Sequence, residues 1–597
     1  MLLAGGPDFQ QLVSTDTFTA YHSRLAIQGL SASSNQPFFG HNSSVLLFNG
    51  EILNWRQLLA VTPLPEEVFF ESDTQFLSYI LDVGLIDACI NKFKGFFAFV
   101  YYNPSSNTII ASRDCYGVKP LYFSLIANKY ITFASTSEAL ASHPYISKRL
   151  NHASFMEFLK YGFFPFGSSA FEGISQFPPG KLIRYRLDSR HQCHSVEELL
   201  SFGAIDSFLE TFDKYTSSHF SAESLIDKLI ASCRLRAVSD VPISLFLSGG
   251  IDSSLLAVVY SKFLGIKPDC FTLKFNLSAD GDESDTAALT ASALNLNHHV
   301  LPFSTDDISN SVERVFSSLD QPFVDTSIIP TFILCNFVSS SYKVAISADG
   351  GDESYAGYPK YQRFNSIYSK MRPLSWLPSS FFKSLPFIER YPQQLQKAVS
   401  VCTSTADLPA SIYFYQHQIW ALSVLQRLAP SYNSIAGHSS IVDSRSFPSN
   451  LSFLQFLDII FYMRDDILYK IDRASMSCGL ELREPMLDQD FVNYGLCIPD
   501  RYKLVDGKSK ACLRDLVEQH LPHVSTLPKK GFGIPLDLLY KSEFMQDSLS
   551  DCLSSSSQLW SVLDRSFVLS LLESSYLTDN QEWQLRSLLV WCKTHSI

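Results

Sequence analysis

One short segment combines the residue types that bind anions. Residues 241–247 are apolar at five of seven positions, which predicts a buried strand of a parallel sheet. Ser248 to Gly250 predict a sharp turn of small residues, and residues 251–259 predict a helix with Asp252 in its first turn. Free N–H groups and the positive end of the helix dipole face a ligand at such a corner. The segment therefore predicts an anion-binding site, with an ordinary strand–turn–helix as the alternative.

This corner differs from the common phosphate loop, because the lysine and the second glycine of GxxxxGK[ST] are absent. Its pattern, Ser-Gly-Gly-x-Asp-Ser, resembles the pyrophosphate loop of enzymes that cleave ATP between the α- and β-phosphates. A hard cation such as Mg²⁺ prefers carboxylate oxygen, so Asp252 is a candidate Mg²⁺ ligand, with a helix N-cap as the alternative. The candidate donors to pyrophosphate are Ser248, Gly249, Gly250, Ser253 and Ser254.

A second corner carries a run of acidic residues. The apolar run Val344 to Ile346 leads into Ser347-Ala-Asp-Gly-Gly-Asp-Glu353. Three acids within five residues at a Gly-Gly turn repel one another unless a cation binds among them. The segment therefore predicts a cation or metal site, with a solvated acidic turn as the alternative.

The pattern of the chain changes along its length, and this change predicts the scaffold that holds the two corners. Residues 1–190 contain short β-rich runs between turn residues, which predict an antiparallel α+β domain. Residues 191–220 predict a linker. In residues 221–597, strands alternate with helices up to about residue 355, which predicts a parallel sheet covered on both faces, and the rest is predicted to be mostly helical. The predicted strands are 241–247, 270–275, 299–303 and 343–347, and the predicted helices are 221–237, 251–264, 283–295 and 327–340.

The composition narrows the class of protein. The chain has 597 residues, of which 46% are hydrophobic and 18% charged, and this balance predicts two or more domains with large cores. The formal net charge of −12 and the absence of a basic run argue against a nucleic-acid partner. No apolar run is long enough to predict a membrane span, and no signal peptide is visible. The twelve scattered cysteines predict reduced core side chains, so we expect a cytoplasmic protein without a membrane partner.

Further segments follow the first corner along the chain, and the ordered set of motifs is highly specific for one family. Together they resemble the glutamine-hydrolysing asparagine synthetases and their relatives, over about residues 1–540. Residues 1–190 resemble the class II glutaminase domain of that family, with Gly6-Pro-Asp8, Asn49-Gly-Glu-Ile52 and Lys94-Gly-Phe-Phe-Ala-Phe99 among the matching pieces. The matching segments of the second half are 282–283, 298–299, 320–330, 347–353, 465–476, 481–488 and 528–535.

The resemblance implies a fold class and a domain plan. It implies an α+β glutaminase-like sandwich of the N-terminal nucleophile type, truncated at its start, followed by an α/β parallel-sheet pyrophosphate-loop ATPase domain with a helical C-terminal part. The implied domains are a type 2 glutamine amidotransferase-like domain at 1–190, a linker at 191–220 and an asparagine synthetase domain at 221–597. The implied cofactors and partners are ATP, Mg²⁺, a small-molecule carboxylate acceptor, ammonia or glutamine as nitrogen donor, and a second copy in a homodimer.

The resemblance also implies roles for single residues. Asp352 would join Asp252 as the second Mg²⁺ ligand, Asp349 would be the acid associated with acyl-adenylate formation, and Lys529 would stabilise negative charge during catalysis. We expect Arg473 and Arg483 to form buried ion pairs that brace the site. The implied contacts to the nucleotide are Leu247, Leu273, Ser347 and Ala348, and the implied glutamine-binding set is Arg24, Asn49, Gly50, Glu51 and Asp73.

The sequence departs from the family pattern at its start and at one position near the nucleotide. In the family, a cysteine at the mature N-terminus is the glutaminase nucleophile and its α-amine the base. The sequence begins with Met1-Leu-Leu-Ala-Gly-Gly6 and has glycine at Gly5, where the family has arginine. As the sequence stands, we expect either a start further upstream or an inactive glutaminase half, with Cys115 as a packing residue. Ala348 replaces the usual glycine and puts close approach of the nucleotide in question.

These observations favour ATP-dependent amidation of a carboxylate through an acyl-adenylate, with release of AMP and pyrophosphate. The acceptor is either aspartate or a uronic-acid sugar of a surface polysaccharide. One alternative is an intramolecular amide ligase similar to β-lactam synthetase, which lacks the N-terminal cysteine. The other is a catalytically degenerate protein with a binding or regulatory role.

Overall fold

The computed structural model describes residues 2–64, 69–127, 129–216, 220–275, 283–374, 401, 407–430, 443–525, 534–554, 557–574 and 576–597. Antiparallel sheets dominate the first part of the chain, as its short β-rich runs predict. The largest has the strand order β11-β10-β6-β5-β4-β3, and smaller sheets are formed by β8-β7-β9 and by the hairpin β1-β2. These strands are β1 Phe9–Ser14, β2 Thr19–Arg24, β3 Phe38–Phe39, β4 Val45–Ile52, β5 Gly95–Asn103, β6 Thr108–Arg113, β7 Tyr122–Ile126, β8 Tyr130–Ala134, β9 Ile174–Gln176, β10 Lys181–Leu187 and β11 Cys193–Ser201.

The helices of this part begin and end where local residues satisfy the free backbone groups. In one case, the Ser72 hydroxyl caps α3 by accepting from the Gln75 amide. In another, Gly162 ends α6 in the left-handed conformation, with φ 88°. These helices are α1 Leu2–Gly5, α2 Trp55–Val61, α3 Asp73–Asp82, α4 Ile86–Cys89, α5 Ser137–Ala141 and α6 His152–Tyr161.

The segment predicted to be a linker at residues 191–220 contains regular structure. Strand β11 pairs with β10 along the edge of the largest sheet, and helix α7 (Ala204–Thr216) follows it. The physical reason is amphipathicity, because Phe208 is fully buried although the segment is rich in serine and acids. The connection between the two parts of the chain is therefore shorter than the sequence predicts.

The second part of the chain is built on the predicted parallel sheet. Its strand order is β14-β13-β12-β15-β16, and all of its neighbouring strands are parallel. The central pairing joins β12 to β15, so the two corners that follow these strands leave the sheet side by side. Strand β16 was not among the predicted strands. The bounds are β12 Ile243–Phe246, β13 Asp269–Phe275, β14 His298–Phe303, β15 Val344–Ile346 and β16 Glu481–Arg483.

Helices cover this sheet and form the C-terminal part, as predicted. A π-helical stretch extends α9 to Phe263, and another, Asp458–Ile467, lies between α17 and α18. In the described residues, no helix is both long and apolar enough to cross a membrane. The helices are α8 Ala222–Arg236, α9 Ile251–Val258, α10 Ser284–Leu294, α11 Thr305–Ser318, α12 Ile328–Val338, α13 Gly351–Ser354, α14 Pro359–Met371, α15 Leu408–Gln416, α16 Leu422–Leu428, α17 Asn450–Leu457, α18 Leu468–Met476, α19 Gln489–Cys497, α20 Ala511–Glu518, α21 Pro522–Ser525, α22 Leu536–Tyr540, α23 Glu543–Ser554, α24 Arg565–Leu572 and α25 Asp579–Thr594.

Candidate active site

The first corner lies at the carboxyl end of β12. Its turn depends on Gly249, which has φ 80°. A Cβ atom there would lie 2.8 Å from the Glu283 carbonyl oxygen and 2.9 Å from the Ala287 nitrogen. Only glycine fits such a close approach with a positive φ. The start of α10 is therefore packed directly against the loop.

Serine side chains hold this loop in its turn. The Ser248 amide donates to the Ser253 hydroxyl oxygen at 3.2 Å, and the Gly250 amide donates to the Ser248 hydroxyl oxygen at 3.3 Å. The two serine hydroxyls lie 3.0 Å apart. Ser254 is fully buried one residue further along α9. The first four predicted pyrophosphate donors thus lie together at the turn and the helix start, whereas Ser254 lies in the core.

The second corner follows β15 and is tied to the neighbouring strand β16. The Ser347 amide donates to the Arg483 carbonyl oxygen at 3.0 Å, and the Ser347 hydroxyl donates to Asp349 Oδ2 at 2.8 Å. Gly350 has φ 96°, and a Cβ atom there would lie 2.7 Å from Leu487 Cδ2. The acidic turn is therefore held against the segment that follows β16.

The two corners meet at the side chain of Lys510. Its Nζ lies 2.6 Å from Asp352 Oδ1 and also forms a direct ion pair with Asp252. A Cβ atom on Gly351 would lie 2.9 Å from Asp252 Cγ, so the acidic turn touches the start of α9. A Cβ atom on Gly357 would overlap both the Asp352 carboxylate and the Lys510 side chain. The two predicted Mg²⁺ ligands therefore share one site, and glycines make room for it.

Sequence reasoning missed Lys510. It occupies the N-cap position of α20 in the left-handed conformation, with φ 54°, and is buried. A cation at this end opposes the helix dipole, so helix stability does not explain its position. Burial alone would lower the pKa of Lys510, but the carboxylates of Asp252 and Asp352 raise it above its ordinary value. A lysine just before a helix was the only signal in the sequence.

The donor set fits a magnesium ion that is bound together with a nucleotide. Within the described part of the chain, no three His, Cys, Asp or Glu side chains are grouped as a metal cage. Mg²⁺ in proteins commonly takes one or two carboxylates and completes its shell with water and substrate phosphates. Asp252 and Asp352 supply such a pair beside a loop of the kind that binds phosphates.

A second group of charges surrounds Asp349. Its burial raises its pKa, and the charge of Lys470 opposes this effect. Lys470 Nζ donates to Asp325 Oδ2 at 3.1 Å and to the Ser327 hydroxyl at 2.9 Å. Burial and the charge of Asp325 raise the pKa of Asp466, which lies in the π-helical stretch before α18. Lys470, Asp325 and Asp466 were not singled out from the sequence, although all three lie within the family-matching segments.

The remaining predicted contacts to the nucleotide lie at the same sheet edge. Leu247 is buried and its amide donates to the Phe271 carbonyl oxygen at 2.9 Å. Leu273 lies on the adjacent strand β13, and Ala348 lies in the second corner between Ser347 and Asp349. Lys529 lies outside the described residues, so its predicted role stays a prediction.

The two arginines expected in buried ion pairs form them. Arg473 Nε lies 2.8 Å from Asp320 Oδ1, and its NH1 lies 2.7 Å from Asp472 Oδ2. Arg483 Nε lies 2.8 Å from Glu481 Oε1. The pair with Asp320 joins α18 to the segment after α11, whereas the pair of Arg483 with Glu481 lies within β16.

The predicted glutamine-binding set contains charges that act on one another, because Glu51 and Asp73 oppose the lowering of the Arg24 pKa by burial. Glu51 and Asp73 are buried, and burial together with the charge of Asp73 raises the pKa of Glu51. Gly50 has φ 119° and Asn49 precedes it on β4. The Arg24 guanidinium donates to groups of its own loop, and its role in binding glutamine stays a prediction. Its acceptors are Gln28 O at 3.2 Å, Gly29 O at 2.5 Å, Ser31 O at 3.0 Å and Asn35 Oδ1 at 2.8 Å.

Comparisons with known proteins match both parts of the chain. The family model of asparagine synthase matches residues 224–593, and that of the glutamine amidotransferase domain matches residues 2–195. The chain is similar to "Asparagine synthetase [glutamine-hydrolyzing] 1" of Bacillus subtilis, with 27% identity over 100% of this chain and 92% of that protein. It is also similar to "Amidase chry2" of Gibberella zeae, with 26% identity over 57% of this chain and 51% of that protein.

Among solved structures, a glutamine phosphoribosylpyrophosphate amidotransferase from B. subtilis matches 41% of this chain and 50% of its own, with 17% identity and a TM-score of 0.21. The asparagine synthase model covers more than half of the chain and includes both corners of the parallel sheet. The chain therefore belongs to the asparagine synthase family of ATP-dependent carbon–nitrogen ligases and carries a glutamine amidotransferase domain ahead of its synthase domain.

Proposed function

We propose that this protein activates a carboxylate with ATP as an acyl-adenylate and then transfers nitrogen to it, releasing AMP and pyrophosphate. The observation that carries the proposal is the convergence of Asp252 and Asp352 on one cation between a small-residue loop and an acidic turn. A carboxylate is a poor acyl donor because its leaving group would be oxide. Adenylation replaces that leaving group with AMP.

The residues at the two corners divide the work of the first step. Ser248, Gly249 and Gly250 place short donors at the start of α9, where the helix dipole favours the departing pyrophosphate. Asp252 and Asp352 would hold Mg²⁺, which when bound neutralises phosphate charge. Lys510 lies between them as a second positive charge, which would also oppose the negative charge of the phosphates.

Asp349 and its neighbours support a binding site for the acceptor carboxylate. Lys470 is the cation whose charge lowers the pKa of Asp349. Its ammonium group donates to Asp325 and Ser327. A cation beside the reacting carboxylate lowers the repulsion between that carboxylate and the α-phosphate. We place the acceptor between Lys470 and the second corner, with Lys529 as the further cation of this step.

The acceptor is aspartate or a uronic-acid sugar, and ammonia or glutamine supplies the nitrogen. Asp466 favours aspartate, because the ammonium group of such an acceptor would stabilise the ionised form of this buried acid beside Lys470. We also propose that two copies of the protein form a homodimer, as the family resemblance implies.

The proposal is tested by pyrophosphate release from ATP and Mg²⁺ with a panel of carboxylates and with ammonia as nitrogen donor. We expect release that depends on one class of acceptor, with stoichiometric AMP and amide. Release with aspartate but not with uronic acids would select the amino-acid acceptor. Absence of release with every member of the panel would contradict the proposal and favour a binding or regulatory role.

A further inference from the structure

Glu484 is an acid beside the second corner that the first step does not use. It directly follows β16, whose Arg483 carbonyl oxygen accepts the Ser347 amide at 3.0 Å. The next residues pack on the acidic turn, since a Cβ atom on Gly351 would lie 2.7 Å from Met486 Sδ. Glu484 is therefore fixed between two contacts to the segment that contains Asp349. Only 3% of the residue's surface is exposed.

The charges of groups from four elements act on the Glu484 carboxyl. Asp349 comes from the turn after β15, Glu481 from β16, Arg236 from the end of α8, and Lys119 from the loop between β6 and β7 of the amidotransferase domain. Lys119 is buried as well, and its backbone amide donates to Asp114 Oδ2 at 3.0 Å. Glu484 thus lies where the amidotransferase domain borders the edge of the parallel sheet.

These surroundings set when Glu484 ionises. Burial is the largest effect, and with the charge of Asp349 it raises the pKa of Glu484 to about 8, against the opposing charges of Lys119 and Arg236. A carboxylate with this affinity for protons is a much stronger base than an ordinary glutamate. Among the residues that the structure describes, none donates a hydrogen bond to this carboxylate.

We propose that Glu484 is the proton acceptor of the amidation step. The inference rests on the proposed function, because it needs an acyl-adenylate. The lone pair of the amine nitrogen forms the C–N bond, and the bond from the acyl carbon to the AMP oxygen breaks with its electron pair leaving on AMP. One N–H proton must leave the nitrogen for a neutral amide to form, and the Glu484 carboxylate receives it.

The test separates the two half-reactions in Glu484→Gln. Adenylation is measured as acceptor-dependent exchange of labelled pyrophosphate into ATP. Amidation is measured as the rate of amide formation divided by the concentration of unprotonated amine. We expect amidation to fall about a hundredfold, the usual contribution of general base catalysis, while exchange changes less than threefold. Glu484→Asp should recover part of the amidation rate. Glu157→Gln, at another buried glutamate, is the matched control and should change neither rate.

The pH dependence of amidation and the rate with hydroxylamine distinguish a proton acceptor from a residue that only supports the fold. The wild-type amidation rate per unprotonated amine should rise with pH through about 8, and this rise should disappear in Glu484→Gln. The intermediate formed from hydroxylamine loses its proton more readily than that from ammonia, so hydroxylamine should be less affected by the variant.

Equal losses of exchange and amidation in Glu484→Gln would overturn the inference, because the residue would then serve the fold or the first step. An unchanged amidation rate with an unchanged pH profile would overturn it as well. Absence of exchange in the wild-type protein would instead refute the proposed function itself, so the two failures are distinguishable.

Discussion

Asp252 and Asp352 follow different strands of one sheet, yet both carboxylates form ion pairs with Lys510. The relationship arises because β12 and β15 are neighbours and parallel, so their carboxyl ends meet at one edge. Ligand sites of open parallel sheets lie in the crevice outside this edge. The geometry therefore links a loop suited to phosphate with a pair of acids suited to a metal.

Replacing Asp352 with asparagine tests whether the pair holds Mg²⁺. The amide keeps the shape of the side chain but removes the charge that a hard cation prefers. We expect pyrophosphate release to fall at least a hundredfold, with a higher requirement for Mg²⁺. Asp306→Asn, at an exposed acid of α11, is the control and should keep its rate. An unchanged rate in Asp352→Asn would remove this residue from the site.

Replacing Lys510 with methionine should change how strongly Mg²⁺ stabilises the protein. Without the ammonium group, the carboxylates of Asp252 and Asp352 repel each other, and a cation that binds only the folded state relieves this repulsion. The melting temperature without metal should therefore fall, and the rise on adding Mg²⁺ should exceed that of the wild type. Calorimetry with and without Mg²⁺ measures both.

The control for that experiment is Lys508→Met, because Lys508 is exposed and only two residues away. Its response to Mg²⁺ should equal that of the wild type. If Lys510→Met also responded like the wild type, the two carboxylates would not form a cation site.

Gly249→Ala tests the loop that is assigned to pyrophosphate. The added methyl group would meet the Glu283 carbonyl oxygen and the Ala287 nitrogen, and φ 80° is strained for alanine. We expect a higher KM for ATP and a lower kcat. Gly265→Ala is the matched control, because its φ of 68° carries the same strain while an added Cβ meets open space. Equal activities of the two variants would show that the close approach at Gly249 does not matter.

The buried pair of Arg473 and Asp320 predicts a large and pH-dependent loss of stability. Arg473→Met leaves a buried carboxylate without its cation, which costs about 3–5 kcal/mol in the free energy of unfolding. Burial alone would raise the pKa of Asp320, but Arg473 and hydrogen bonds lower it below 3.8. The contribution of the pair is therefore present above pH 3.8 and lost as pH falls below it.

Urea unfolding at a series of pH values measures this loss. The difference between wild type and Arg473→Met should be widest near neutral pH and narrow below about pH 4. Arg445→Met, which breaks an exposed ion pair with Asp443, should show no measurable difference at any pH. A gap for Arg473→Met that stayed constant with pH would show that the lost stability does not come from the ion pair.

The sequence predicts the sheet and its two corners, because these follow from strand alternation and from short motifs. The pairing of Asp252 with Asp352 is implied by the family resemblance. The sequence does not predict Lys510, whose distance from both acids depends on how α20 packs. Lys470 was missed because its contact with Asp325 depends on how α18 packs. Strand β11 was hidden by a serine- and acid-rich composition, since its residues are at most partly buried.

The glutamine-binding set stays a prediction that the family resemblance implies. In that set Arg24 is assigned to a ligand carboxylate, which its fork of donors suits. In the structure the carbonyl groups of its own loop occupy those donors. A motif therefore identifies the residue, but only the local backbone decides where its side chain points.

The transfer of oxygen from the acceptor to AMP tests the central claim most directly. If a carboxylate labelled with ¹⁸O attacks the α-phosphorus of ATP, one labelled oxygen remains on AMP after the nitrogen displaces it. We predict AMP that carries one ¹⁸O atom for every amide formed, as measured by mass spectrometry. Formation of ADP and labelled phosphate, or of AMP without label, would contradict the account.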